Sequence, residues 1–111
     1  MAQIQPSKKK NEVIIKQFDR LSQIIEFFPT RNLKANYLNL DEKKSFGAHR
    51  TDDREEVVGV LQGIAYAVVN SEVFKLTKGE LIYIPKNKLV NVYNRNKIVL
   101  RLIYIISKLN T

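Results

Sequence analysis

The sequence predicts an all-β domain, a jelly-roll barrel preceded by one short helix. Three observations carry this. Between His49 and Asn94 short apolar runs recur about every 8 to 12 residues, the cadence of strands in a sandwich or barrel. Turn-forming residues punctuate them at Gln62-Gly63, Asn70-Ser71, Lys78-Gly79 and Pro85-Lys86-Asn87. No helical period fits this stretch. The chain has 111 residues and 44% hydrophobic content, enough for one core that buries roughly two-thirds of the unfolded surface.

Residues 1 to 10 are polar and end in Lys8-Lys9-Lys10, so a flexible basic tail is expected there, with a single β-barrel domain over 11 to 111. Glu12 to Phe18 reads as the first strand, its apolar content being Val13, Ile14 and Ile15. Asp19 is placed to cap a short helix in which Leu21, Ile24, Ile25 and Phe28 follow the i, i+3, i+4, i+7 pattern, and Pro29 ends it. That stripe is expected to cover one end or face of the barrel. Leu33 to Leu40 alternates as a strand buried on at least one side does. Glu55 to Leu61 and Ile64 to Val69 read as a hairpin around Gln62-Gly63. Glu72 to Leu76, Leu81 to Ile84, Leu89 to Tyr93 and Ile98 to Ile105 bring the main strands to about eight.

Composition narrows the function classes. With no cysteine, disulfides and thiolate metal sites are excluded, and any metal would need imidazole and oxygen ligands. The net charge of +8 biases encounters towards anions. Residues 1 to 10 lack the apolar core of a secretory signal. The most apolar run, Ile98 to Ile106, is interrupted by Arg101 and too short to span a bilayer, so a cytoplasmic protein without membrane contact is expected. No P-loop or dinucleotide fingerprint is present.

The polar residues of the central stretch fall on two spaced motifs. Lys43, His49, Thr51, Glu56 and Gly63 occupy the positions of G-x5-H-x-H-x(3,4)-E-x6-G, and Gly79, Pro85, Asn87, Val90 and Asn94 those of G-x5-P-x-G-x2-H-x3-N. In this the chain resembles the cupins, small barrels whose metal is usually held by two His, a Glu and a third His. The resemblance covers about half the chain and keeps the scaffold positions better than the ligands. Of the four ligand positions only His49 and Glu56 retain donors of the family kind, with Thr51 and the aliphatic Val90 at the others. No cofactor is therefore expected. A divalent metal, were one bound, would have to use His49, Glu56 and Asp53.

The resemblance places His49, Thr51 and Glu56 in the barrel lumen. Glu56 then needs a cationic or hydrogen-bonding partner, for which His49 and Arg101 are the candidates. His49 with Glu56 forms a potential acid/base pair. Tyr37, Tyr66 and Tyr83 are the tyrosines whose strands can turn a hydroxyl inward to orient a ligand. Arg101 is an anion anchor if it faces the lumen and a surface residue if it does not, and the outward placement is the one expected. The expected function is the binding of a small polar or anionic metabolite. Alternatives are a sugar or sugar-nucleotide isomerase or epimerase with His49 as acid/base, and nucleic-acid binding through the tail and the basic loop Asn94-Arg95-Asn96-Lys97, which no sequence module or stacking platform accompanies. The two-sided apolar runs Ile64 to Val69 and Ile98 to Ile106 suggest a homodimer.

Overall fold

A computed structural model describes residues 12–26, 28 and 32–108. The basic tail, residues 1 to 10, lies outside them. Nine strands follow in order: β1 (Ile14–Gln17), β2 (Asn32–Leu40), β3 (His49–Arg50), β4 (Glu56–Gln62), β5 (Ala65–Val69), β6 (Glu72–Leu76), β7 (Glu80–Ile84), β8 (Leu89–Tyr93) and β9 (Leu100–Lys108). One helix, α1 (Leu21–Ile25), separates β1 from β2. The strands form two antiparallel sheets, one of five in the order β1-β7-β4-β9-β2 and one of four in the order β3-β8-β5-β6.

The expected hairpin around Gln62-Gly63 does not form. β4 pairs with β7 and β9, while β5 pairs with β6 and β8, so the chain crosses from one sheet to the other at this turn. A register shift between Val60 and Gln62 bends β4 before the turn. Gly63 then takes a φ of +95°, a conformation that side-chain-bearing residues rarely adopt. The crossing lets β4 and β5 each bury apolar residues against the other sheet.

Alternation along the strands produces two apolar layers. Val58 and Val60 of β4, Ala65, Ala67 and Val69 of β5, Ile82 and Ile84 of β7 and Leu100 and Leu102 of β9 fill the space between the sheets. The opposite side of the five-stranded sheet carries Val57, Leu81, Ile103 and Ile105, and these pack under Ile24 and Phe28. Thus the helix covers the outside of one sheet. Of its predicted stripe, only Ile24 and Phe28 are buried, whereas Leu21 and Ile25 remain exposed. Asp19 is not the cap: Arg20 holds the N-cap position, and the Gln23 side chain accepts the backbone N–H groups of Asp19 and Arg20 at 2.8 and 3.2 Å. β2 is an edge strand paired to β9 over its whole length, and only Leu40 of it is fully buried, so the alternation seen in its sequence does not translate into a buried face.

Two non-glycine residues hold turn conformations that the motifs give to glycine. Lys43 and Asn87 have φ of 65° and 61°. Lysine at position 43 thus keeps the left-handed turn that the motif gives to glycine. The left-handed backbone persists because Lys43 N–H donates to the Asn94 carbonyl at 2.9 Å and Lys44 N–H to that of Asp41 at 3.0 Å, which offsets a conformational cost of about 1–2 kcal/mol. Asn94 is buried and joins three segments: its amide donates to the Leu40 and Ile98 carbonyls and its oxygen accepts from Asn96 N–H, each at 2.9 Å.

Candidate functional site

β3 is only two residues long, and its pairing places His49 directly across from Val90 of β8. Val90 is buried in the inner core, so His49 lies on the inward side of its sheet. From the other sheet Glu56, at the start of β4, points into the same end of the barrel. His49 Nε2 stands 3.0 Å from both Glu56 carboxylate oxygens, and Nδ1 stands 3.0 Å from the Gly47 carbonyl. Both partners of the ring accept hydrogen bonds, an arrangement that suits the doubly protonated imidazolium. Accordingly the His49 pKa is raised above 6.5, chiefly by the Glu56 hydrogen bond, against the opposing cost of burial.

The pair has a direction. Glu56 is 3% exposed and His49 30%, so the carboxylate sits inside and the imidazole at the mouth. Phe46 and Tyr104 wall it: their rings meet edge to face at 4.6 Å, and Phe46 meets the His49 ring at 5.4 Å. Burial, reinforced by the Glu56 charge and by a hydrogen bond to Glu56, raises the Tyr104 pKa well above 10. Its hydroxyl therefore stays protonated as a donor. The charge of Arg54, exposed in the loop before β4, acts weakly in the opposite direction on the Tyr104 hydroxyl.

The other candidates fall elsewhere. Thr51 is buried, but its hydroxyl donates to the Pro85 carbonyl at 2.9 Å and accepts from Lys88 N–H at 3.0 Å; it clamps the loop after β3 to the turn before β8. Tyr37 is 71% exposed on the edge strand and registers with Ile103, on the outer side of its sheet. Tyr83 packs in the outer layer and donates to Glu55 at 2.6 Å. Tyr66 alternates with buried Ala65 and Ala67 and also faces outward. None of these three tyrosines turns inward. Arg101 is exposed between buried Leu100 and Leu102, so it is not a lumen anchor.

Tyr104, which the sequence reading did not single out, is the inward tyrosine. A signal for it existed: once Arg101 is set outside, alternation turns Leu102 and Tyr104 inward.

These donors do not fit the family's metal. Val90 has no donor atom, the Thr51 hydroxyl is committed to backbone, and His49 Nε2 is turned onto Glu56. Asp53 is exposed in the turn after Thr51, and among the described residues no three His, Cys, Asp or Glu side chains converge.

A family model for the C-terminal domain of mannose-6-phosphate isomerase matches residues 16–109. The chain belongs to that family, and its fold is a cupin. Solved structures superpose on it, two of them named as cupins. The cupin domain of Cnp3 from Schizosaccharomyces pombe aligns with a TM-score of 0.66 at 14% identity, covering 86% of this chain and 64% of that one. An RmlC-like cupin from Shewanella frigidimarina aligns at 0.63 and 19%, covering 72% and 69%. The plu4264 protein from Photorhabdus luminescens aligns at 0.64 with 25% identity over 68% of this chain, which spans 62% of that protein's length. No curated protein sequence is significantly similar to the chain. Among the described residues no helix is long and apolar enough to cross a membrane.

Proposed function

We propose that this cupin binds a small anionic metabolite at the mouth of its barrel, without a metal ion. The orientation of the His49–Glu56 pair carries the reading: the imidazolium occupies the exposed half and the carboxylate the buried half, so the positive end of the pair faces incoming ligand. Phe46 and Tyr104 supply an apolar wall of the kind that small-molecule sites use around a few polar groups. Phosphorylated sugars are the ligand class that the family's name suggests.

Thermal shift across phosphorylated sugars, sugar nucleotides and keto acids tests this. A ligand should raise the melting temperature of the natural chain, in the presence of chelator, and leave His49→Gln unmoved. A stoichiometric metal in the purified protein, or a shift that His49→Gln retains in full, would refute it.

The family match favours a second reading, isomerisation of a sugar phosphate. Moving a proton between adjacent carbons needs one positioned acid/base, and His49 is the titratable group at the mouth. Both of its nitrogens are engaged in the present arrangement, so Nε2 would have to leave Glu56 for substrate. Conversion of mannose 6-phosphate to the ketose phosphate, lost in His49→Gln with binding retained, would establish catalysis.

A further inference from the structure

Among the described residues, no helix or further strand covers the outer side of the four-stranded sheet. Cross-strand register sets Tyr66 beside Tyr93 on one side and Lys75 on the other, so the three side chains form one outward row. The guanidinium of Arg95, from the loop that follows β8, stands 5.3 Å from the centre of the Tyr66 ring. Tyr93 is 38% exposed. Beside it lies a depression of about 170 Å³ walled by Val68, Leu89 and Asn91. That is below the roughly 300–1,000 Å³ of sites for drug-sized ligands, and it suits a single planar ring.

Charge selects the partner. Lys75 and Arg95 are exposed, and Arg50 shares the face, 3.7 Å from the Asp52 carboxylate. Glu72 is the only acidic residue within the four strands; it registers with buried Val69 and so projects from the opposite side. A second copy seated on this face across a two-fold axis would bring a cationic surface against its like. A polyanion with flat apolar groups complements it, and the chain's net charge of +8 strengthens attraction to such a partner.

We propose that this face binds single-stranded nucleic acid, with a base stacked on Tyr93 and phosphates met by Arg95 and Lys75. Adjacent aromatics flanked by cations are the elements from which sequence-tolerant single-strand sites are built. The inference concerns the outer side of the four-stranded sheet, whereas His49, paired with buried Val90, points to its inner side, so it is tested separately from metabolite binding at the barrel mouth.

Fluorescence anisotropy of the full chain with a labelled oligothymidylate is the test. Binding should weaken as salt is raised. Tyr93→Ala should weaken it by roughly 5- to 150-fold, the cost of losing one stacked base, with the melting temperature unchanged. Lys34→Ala, which removes an equally exposed cation from the other sheet, should cost several-fold less. Duplex of equal length should bind more weakly than the single strand and ignore Tyr93→Ala. Several results would overturn the assignment: equal losses in Tyr93→Ala and Lys34→Ala; binding abolished by replacing Lys8, Lys9 and Lys10 but untouched by Tyr93→Ala; Tyr93-dependent binding to polyglutamate and not to the oligonucleotide, which would give the face to an acidic protein; or a Tyr93-dependent dimer in sedimentation with no oligonucleotide bound.

Discussion

The two sheets share one core, yet their outer sides differ. On the five-stranded sheet, Val57, Leu81, Ile103 and Ile105 are sealed beneath Ile24 and Phe28. On the four-stranded sheet, Val73, Leu89 and Tyr93 are left 57%, 46% and 38% exposed, among cations and, among the described residues, without a covering element. The same alternation of apolar residues thus serves folding on one flank and leaves apolar side chains at the surface on the other. The difference also bears on self-association, because the outward half of the Ile98 to Ile106 run, which had suggested a dimer face, is largely occupied by the chain's own helix.

The largest effect should come from uncovering the sealed flank. Phe28 is 2% exposed, and its ring centre lies 6.4 Å from that of Tyr83. Phe28→Ala should cost about 3–5 kcal/mol in urea unfolding. Val73→Ala, an apolar truncation on the open flank, should stay within about 0.5 kcal/mol. Comparable losses for the two would erase the distinction between a structural and a free side.

Next comes the clamp between the flanks. Thr51→Val keeps the shape but removes a hydroxyl that is bonded twice to backbone, leaving the Lys88 N–H and the Pro85 carbonyl without it. A loss of about 1–3 kcal/mol is expected, largely restored in Thr51→Ser. If Thr51 belonged to the binding site and not to the scaffold, ligand affinity would fall in Thr51→Ser as well, and calorimetric titration would detect it.

Strand positions were legible in the sequence because turn residues and alternation are local signals, and β6 and β8 fall where the pattern put them. Partnering was not. Nothing between Val57 and Val69 distinguishes a hairpin from a crossing between sheets, since both bury the same residues; only the pairing of β4 with β9, some 40 positions on, decides it. The site was half legible. His49 and Glu56 are brought together as the motif spacing implied, and Arg101 lies outside as its charge suggested. The tyrosines failed because face was assigned strand by strand: without the sheet order, the inward side of β2 or β7 is undefined, and a one-residue change of parity exchanges Tyr83 for its neighbours. Lys43 shows a different limit, a left-handed turn imposed by tertiary hydrogen bonds on a residue with no intrinsic preference for it.

The smallest effect, and the one that locates the barrel mouth between the two flanks, is a pH dependence. His49 gains its partner on folding and its pKa rises above 6.5, so its contribution to stability is complete below pH 6.5 and is lost as pH climbs through the raised value. The melting temperature should decline across that window in the natural chain and stay level in His49→Gln, with the effect limited because solvent still reaches the outer part of the ring. Metabolite binding, if it depends on the imidazolium, should weaken over the same interval. His49 is the only histidine in the chain, so its NMR titration can be overlaid on both curves without ambiguity. A decline that survives in His49→Gln, or a His49 titration below pH 6.5, would mean that Glu56 does not hold the proton where the geometry puts it, and the mouth of the barrel would lose the charge on which its proposed ligand depends.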